Sequence, residues 1–134
     1  MSEQKPRAIC VGEVLIELAR GADGRFALSC GGDTFNTAVY LARAGVDVAF
    51  ATAVGDDPYS DSIMALAAAE GISRDLALRV PGRLPGLCLV ENGPAGERSF
   101  RYWREGAPAR DLFELPDWMQ IGRASCRERV SSVV

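Results

Sequence analysis

The sequence contains no histidine, so neither a His-based catalytic triad nor a His-ligated metal centre can be built from it. Its four cysteines, Cys10, Cys30, Cys88 and Cys126, lie far apart without a Cys-x-x-Cys pair. That spacing suits neither a disulfide framework nor a zinc site, and reduced thiols with no bound metal are expected. No apolar run approaches the roughly 18 residues of a membrane span. Residues Met1 to Arg7 lead into a short strand and lack the apolar stretch and cleavage site of a signal peptide. A cytoplasmic protein with no membrane partner is expected. Basic runs are absent too: 15 Lys and Arg stand against 18 Asp and Glu, a net charge of −3, so no nucleic-acid partner is expected. Neither a Gly-x-x-x-x-Gly-Lys-Ser/Thr loop nor a Gly-x-Gly-x-x-Gly fingerprint occurs, which removes two standard nucleotide-binding devices.

What is present is ordinary for a soluble globular chain: 134 residues, 48% hydrophobic and 25% charged, enough for one domain or a piece of one. The organising stretch runs from Cys30 to Gly55. Gly31 and Gly32 have no Cβ, so their backbone can approach a ligand closely or simply make a tight turn, and Asp33 or Thr34 is placed to cap the helix that follows. Phe35, Ala38, Val39 and Ala42 fall at i, i+3, i+4 and i+7 on one apolar helical face, with Asn36, Tyr40 and Arg43 elsewhere. Gly45 ends that helix. The nearly unbroken apolar run Val48 to Val54 predicts a strand buried on both faces of a parallel sheet.

Upstream, Ala8 to Val11 reads as a first central strand, and Glu13 to Ala19 as a second, more exposed one. Glu17 is either a solvated strand carboxylate or a group aimed at a ligand. A polar turn from Gly21 to Gly24 and a returning strand from Arg25 predict a hairpin over about 13–29. Downstream of Gly55, Asp56 and Asp57 precede Pro58, an acidic cap with proline at the first helical position, and Gly71 closes that helix. A second hairpin spans about 86–104 with Asn92 to Gly96 as its loop. On its last strand Phe100, Tyr102 and Arg104 share one face. Arg104 can hold a carboxylate in two hydrogen bonds beside the Tyr102 hydroxyl, or the two form a surface cation–π pair.

The intervals from Gly31-Gly32 through Asn36, Ala38 and Gly45 to Gly55 resemble the N-terminal signature of the ribokinase-like (PfkB) sugar kinases. The strings Leu-Pro-Gly-Leu-x-Leu-x-Glu, Gly-Glu-Arg-Ser-Phe-x-Tyr-Trp-Arg and Ala-Pro-Ala-Arg are similar to the lid and substrate segment of the bacterial 2-keto-3-deoxygluconate kinase branch. Two positions depart: Thr34 stands where the signature usually has Gly, Ala or Pro, and Cys88 where that branch usually has tyrosine. The resemblance implies an α/β fold, the N-terminal part of a ribokinase-like domain over 1–120, with a mainly parallel sheet, flanking helices and a small β-lid from about 13–29 and 86–104. It implies a substrate site of Glu17, Gly31, Gly32, Asp33, Asn36, Cys88, Tyr102 and Arg104, with Tyr102 and Arg104 at a sugar acid's carboxylate and Gly32 at its hydroxyls.

The implied activity is ATP-dependent phosphorylation of 2-keto-3-deoxygluconate, with ATP and Mg²⁺ used by the full-length parent. The family's Gly-Ala-Gly-Asp segment does not occur here, so no catalytic residue is assigned, and this chain is expected to be inactive and to bind neither cofactor well. Two alternatives stay open: a kinase fragment for a neutral sugar such as fructose, or a non-catalytic sugar-acid binding or dimerisation module. A homodimer through the β-lid is the expected macromolecular partner. From Ile121 onward the sequence Ile-Gly-Arg-Ala-Ser-Cys-Arg-Glu-Arg-Val resembles nothing in these kinases and looks like a translated sequencing adaptor, so 121–134 is expected to be a non-native tail.

Overall fold

In the computed structural model, which describes residues 7–118, the apolar run predicted as a doubly buried strand forms strand β4, Asp47–Val54. It pairs in parallel with β1, Arg7–Val11, on one side and with β5, Ala77–Arg79, on the other. The order is therefore β1-β4-β5, and β4, not β1, is the central strand. The reason lies in composition: β4 is apolar at nearly every position and is buried from Phe50 to Val54, whereas β1 alternates between buried and half-buried residues. The stretch 72–79 forms only a short strand. Ser73 only bridges to Ala49, and a turn in which the Ala77 amide donates to the Arg74 carbonyl delays pairing until Ala77.

Helices α1, Asp33–Arg43, and α2, Pro58–Ala69, follow β-strands and contribute Phe35, Ala38, Ile63, Met64 and Ala67 to one core with Cys10, Val48, Phe50 and Val54. Phe35 meets Phe50 edge-to-face at 5.3 Å between centroids, the geometry that the ring quadrupoles favour. The other face of the sheet, Ile9, Val11, Ala49 and Ala51, packs with Leu76, Leu78 and Trp118.

The caps differ from expectation at two points. The N-cap of α1 is Gly32, and neither Asp33 nor Thr34 makes a side-chain cap. Asp33 is already the first helical residue, where its charge suits the helix dipole, and the Thr34 side chain lies against Gly12. At α2 only Asp57 caps, accepting from the amides of Tyr59 and Ser60 at 2.9 and 3.0 Å. Asp56 instead accepts from the Gly82 amide at 3.0 Å and ties the chain after β5 to this turn. Burial opposes ionisation of Asp57, but hydrogen bonds from Ser60 and Tyr59 outweigh it and hold the carboxyl below its usual range.

The second sheet joins both predicted hairpins. Strands β2, Leu15–Arg20, and β3, Phe26–Gly31, form one; β6, Leu87–Asn92, and β7, Arg98–Trp103, form the other. Parallel pairing of β2 with β6 fuses them in the order β3-β2-β6-β7. A short 3-10 helix, Pro108–Glu114, follows. The predicted tail, 121–134, lies outside the described residues.

Candidate functional site

Two glycines set the floor. A Cβ on Gly12 would stand 2.7 Å from the Thr34 Oγ1, so the first turn of α1 seats directly on the carboxyl end of β1, where parallel sheets place their ligands. Gly32 has φ +142°, and a Cβ there would lie 2.7 Å from the Glu13 carbonyl oxygen. Only glycine combines that backbone with that approach.

Strand register supplies the wall. Glu17 of β2 pairs with Cys88 of β6, and Cys88 pairs with Tyr102 of β7. Paired residues point to the same side of a sheet, so Glu17, Cys88 and Tyr102 form one rung. Opposite them, α1 presents Asp33 and Asn36, and the two sides enclose a cleft of about 400 Å³. Arg104 follows β7 directly and closes the rim. Its guanidinium carbon lies 4.6 Å from the Tyr102 ring centroid, the expected cation–π pair, and its Nη1 is 3.5 Å from the Glu13 Oε2.

Of the residues expected at a site, Glu17, Gly32, Asp33, Asn36, Cys88, Tyr102 and Arg104 all line this cleft. Gly31 does not. It is buried at the end of β3, and a Cβ there would collide with the Glu17 carboxylate. The missing Cβ leaves room for that side chain. Sequence reasoning missed Glu13, Thr34 and Phe100, which also line the cleft. The available signal for Glu13 was its position just after Gly12, at the carboxyl end of a parallel strand.

The electrostatics are mixed. Burial raises the Glu13 carboxyl above its usual range, although Arg104 and Arg110 pull it down. Burial, and secondarily the Glu17 charge, push the Cys88 thiol up, so it stays protonated and is a poor nucleophile. Burial likewise raises Tyr102, with Cys88 beside it adding to the shift, and the phenol remains a hydrogen-bond donor. Carboxylates and an amide on one side accept from hydroxyl groups, while the guanidinium fork donates to an anion. The cleft can thus take a small hydroxylated molecule with an acidic end. Among the described residues no group of three or more acidic or thiol side chains converges to hold a metal ion, and no helix is long and apolar enough to cross a membrane.

The sequence profile of the pfkB family carbohydrate kinases matches residues 5–125. A 2-dehydro-3-deoxygluconokinase of Dickeya dadantii (strain 3937) is 45% identical over 112 residues, covering 80% of this chain and 36% of that protein. The 2-dehydro-3-deoxygluconokinase of Escherichia coli (strain K12) is 41% identical over 109 residues, covering 78% and 35%. Among solved structures, fructokinase with bound ATP from Xylella fastidiosa superposes with a TM-score of 0.70 at 31% identity, covering 79% of this chain and 33% of that one. The chain spans about a third of the length of these relatives. With a family match over nearly all of its length and the same α/β fold, this chain belongs to the pfkB family of carbohydrate kinases.

Proposed function

We propose that the cleft binds 2-keto-3-deoxygluconate, and that the chain is the substrate-binding part of an ATP-dependent kinase that phosphorylates this sugar acid. The observation that carries the reading is the arrangement of Arg104. Its guanidinium, stacked on Tyr102, stands at the rim of a cleft of sugar size that Glu17, Asp33 and Asn36 also line. A carboxylate would sit on the guanidinium fork, and the hydroxyls would be met by Glu17, Asn36, Asp33 and the Gly32 backbone. Cys88 contributes a small neutral wall. The relatives carrying the matching name support the choice of an acid.

The described residues do not fit a nucleotide or Mg²⁺. The cleft is lined by the carboxylates Glu13, Glu17 and Asp33, which disfavour a triphosphate there, and among the described residues no acidic cluster converges on a cation. The ATP site therefore belongs to other parts of the parent enzyme, and turnover by this chain alone is not expected. Residues 1–120 form the N-terminal portion of the kinase domain in this reading, with the second sheet as the lid. The compartment is the cytoplasm. Exposed Phe26, Leu28 and Trp103 on the lid suit a homodimer through it, which sedimentation would detect.

Titration calorimetry of the chain with 2-keto-3-deoxygluconate and with fructose tests the proposal. Saturable binding of the acid, weakened at least tenfold in Arg104→Ala, is the expected result. Equal binding of both sugars, unaffected by that substitution, would overturn it. A second reading, a kinase part for neutral sugar, is favoured by the likeness to a fructokinase and by the partial engagement of Arg104 with Glu13.

A further inference from the structure

Glu13 occupies an unusual place beneath Arg104. One carboxylate oxygen, Oε2, faces the guanidinium at 3.5 Å, while Oε1 is buried without any hydrogen-bond partner. An orphaned buried acceptor costs free energy, so the side chain is held there by its surroundings rather than by comfort of its own. Gly86 explains how it fits. A Cβ on Gly86 would stand 2.7 Å from Glu13 Oε1, 2.7 Å from Leu15 Cδ2 and 3.0 Å from Arg104 Cβ. The bare backbone before β6 thus forms a notch, and the Glu13 carboxylate fills it. The guanidinium thus has both this anion and the Tyr102 ring as neighbours.

We propose that Glu13 is a positioning residue for Arg104: seated in the Gly86 notch, it keeps the guanidinium stacked on Tyr102 and turns the remaining N–H groups toward the cleft. A long side chain such as Arg loses appreciable rotamer entropy when ordered, and contacts with both an anion and a ring reduce what a ligand must order on binding. The consequence for ligands rests on the sugar-acid reading, whereas the consequence for Arg104 itself does not.

The test uses the full chain with arginine labelled in ¹⁵N, following the Arg104 side-chain Nε–H resonance identified by its loss in Arg104→Lys. Stacking on the ring places this signal upfield of free arginine. In Glu13→Gln, which keeps the shape and removes the charge, the signal is expected to move toward free arginine. Affinity for 2-keto-3-deoxygluconate is expected to fall about three- to fivefold, the size of a partly exposed ion pair. Glu13→Asp should recover part of the shift. An unmoved Arg104 signal in Glu13→Gln overturns the proposal. Should that variant be unfolded by circular dichroism, Glu13→Ala gives the same readout, because it empties the notch without placing any new atom against Arg104. If instead the signal moves but Arg104→Ala leaves sugar-acid affinity unaltered, positioning stands and the sugar-acid reading fails.

Discussion

Strand β4 of the three-stranded sheet is buried from Phe50 to Val54, while strand β7 of the lid sheet is exposed at every one of its residues. The first belongs to a core that gathers Cys10, Ile16, Phe35, Val48, Ile63 and their neighbours from two helices and three strands. The lid has a small buried cluster of its own, Leu15, Cys88 and Val90, and lends Ile16 to the main core with Cys30 and Leu87 packed against it, but its outer strand β7 lies on the surface. Apolar burial is the main source of stability, so the body holds the fold together. The lid is held by backbone ladders, and its polar and aromatic side chains are left available to a ligand. One half of the molecule is built to be dry and the other to be wetted.

That division predicts that substitutions in the two halves separate cleanly into stability and binding. The largest effect belongs to the body: Phe35→Ala, at a residue 1% exposed, should lower unfolding free energy by about 3–5 kcal/mol in a urea titration. A loss below about 1 kcal/mol would show that the core is not where the sheet and helices place it. Next is Arg104→Ala in the lid. It should reduce sugar-acid affinity by about 1.5–3 kcal/mol and move the urea midpoint far less than Phe35→Ala does, because Arg104 is half-exposed at the rim and its ion pair with Glu13 is partly solvated; a midpoint shift as large as that of Phe35→Ala would break the division.

Asp57→Ala, back in the body, should cost about 1 kcal/mol of stability at neutral pH through loss of the α2 cap. The carboxyl is depressed in the folded chain, so its contribution is complete above the unfolded value of about 3.9 and disappears as pH falls through the folded one. The gap between wild type and variant should therefore close in acid; a gap that persists below that range would mean that the charge is not what caps the helix. The smallest effect is expected from Phe100→Ala. Phe100 stacks on Tyr102 at 6.5 Å but is half-exposed, so stability should change by less than about 0.5 kcal/mol, and sugar binding by no more than about twofold.

Much of this was legible because it is local. The helix face of Phe35 and Ala38, the stop at Gly45, the buried strand β4 and the Asp57-Pro58 start of α2 each follow from residues within a few positions of one another. The errors are local rules overridden by neighbours. Asp33 and Thr34 were expected to cap α1, but Gly32 occupies the N-cap because the Glu13 carbonyl leaves no room for a side chain there. Asp56 was expected to cap α2 and instead ties down the segment at Gly82. Gly31 was expected to meet a ligand and instead accommodates Glu17. Glu13 went unnoticed since nothing near it in the chain reveals the Gly86 notch.

By itself the sequence determined the elements, the family and the chemical kinds of side chain available, for these depend on periodicity, turn residues and motif spacing over short stretches. Only the tertiary structure decided which of them face one another. Glu17, Cys88 and Tyr102 become one rung through the pairing of β6 with β2 and with β7, and Arg104 meets Glu13 only because that pairing brings both against Gly86. Such register and approach are set by long-range pairing and by steric room, which no local pattern carries.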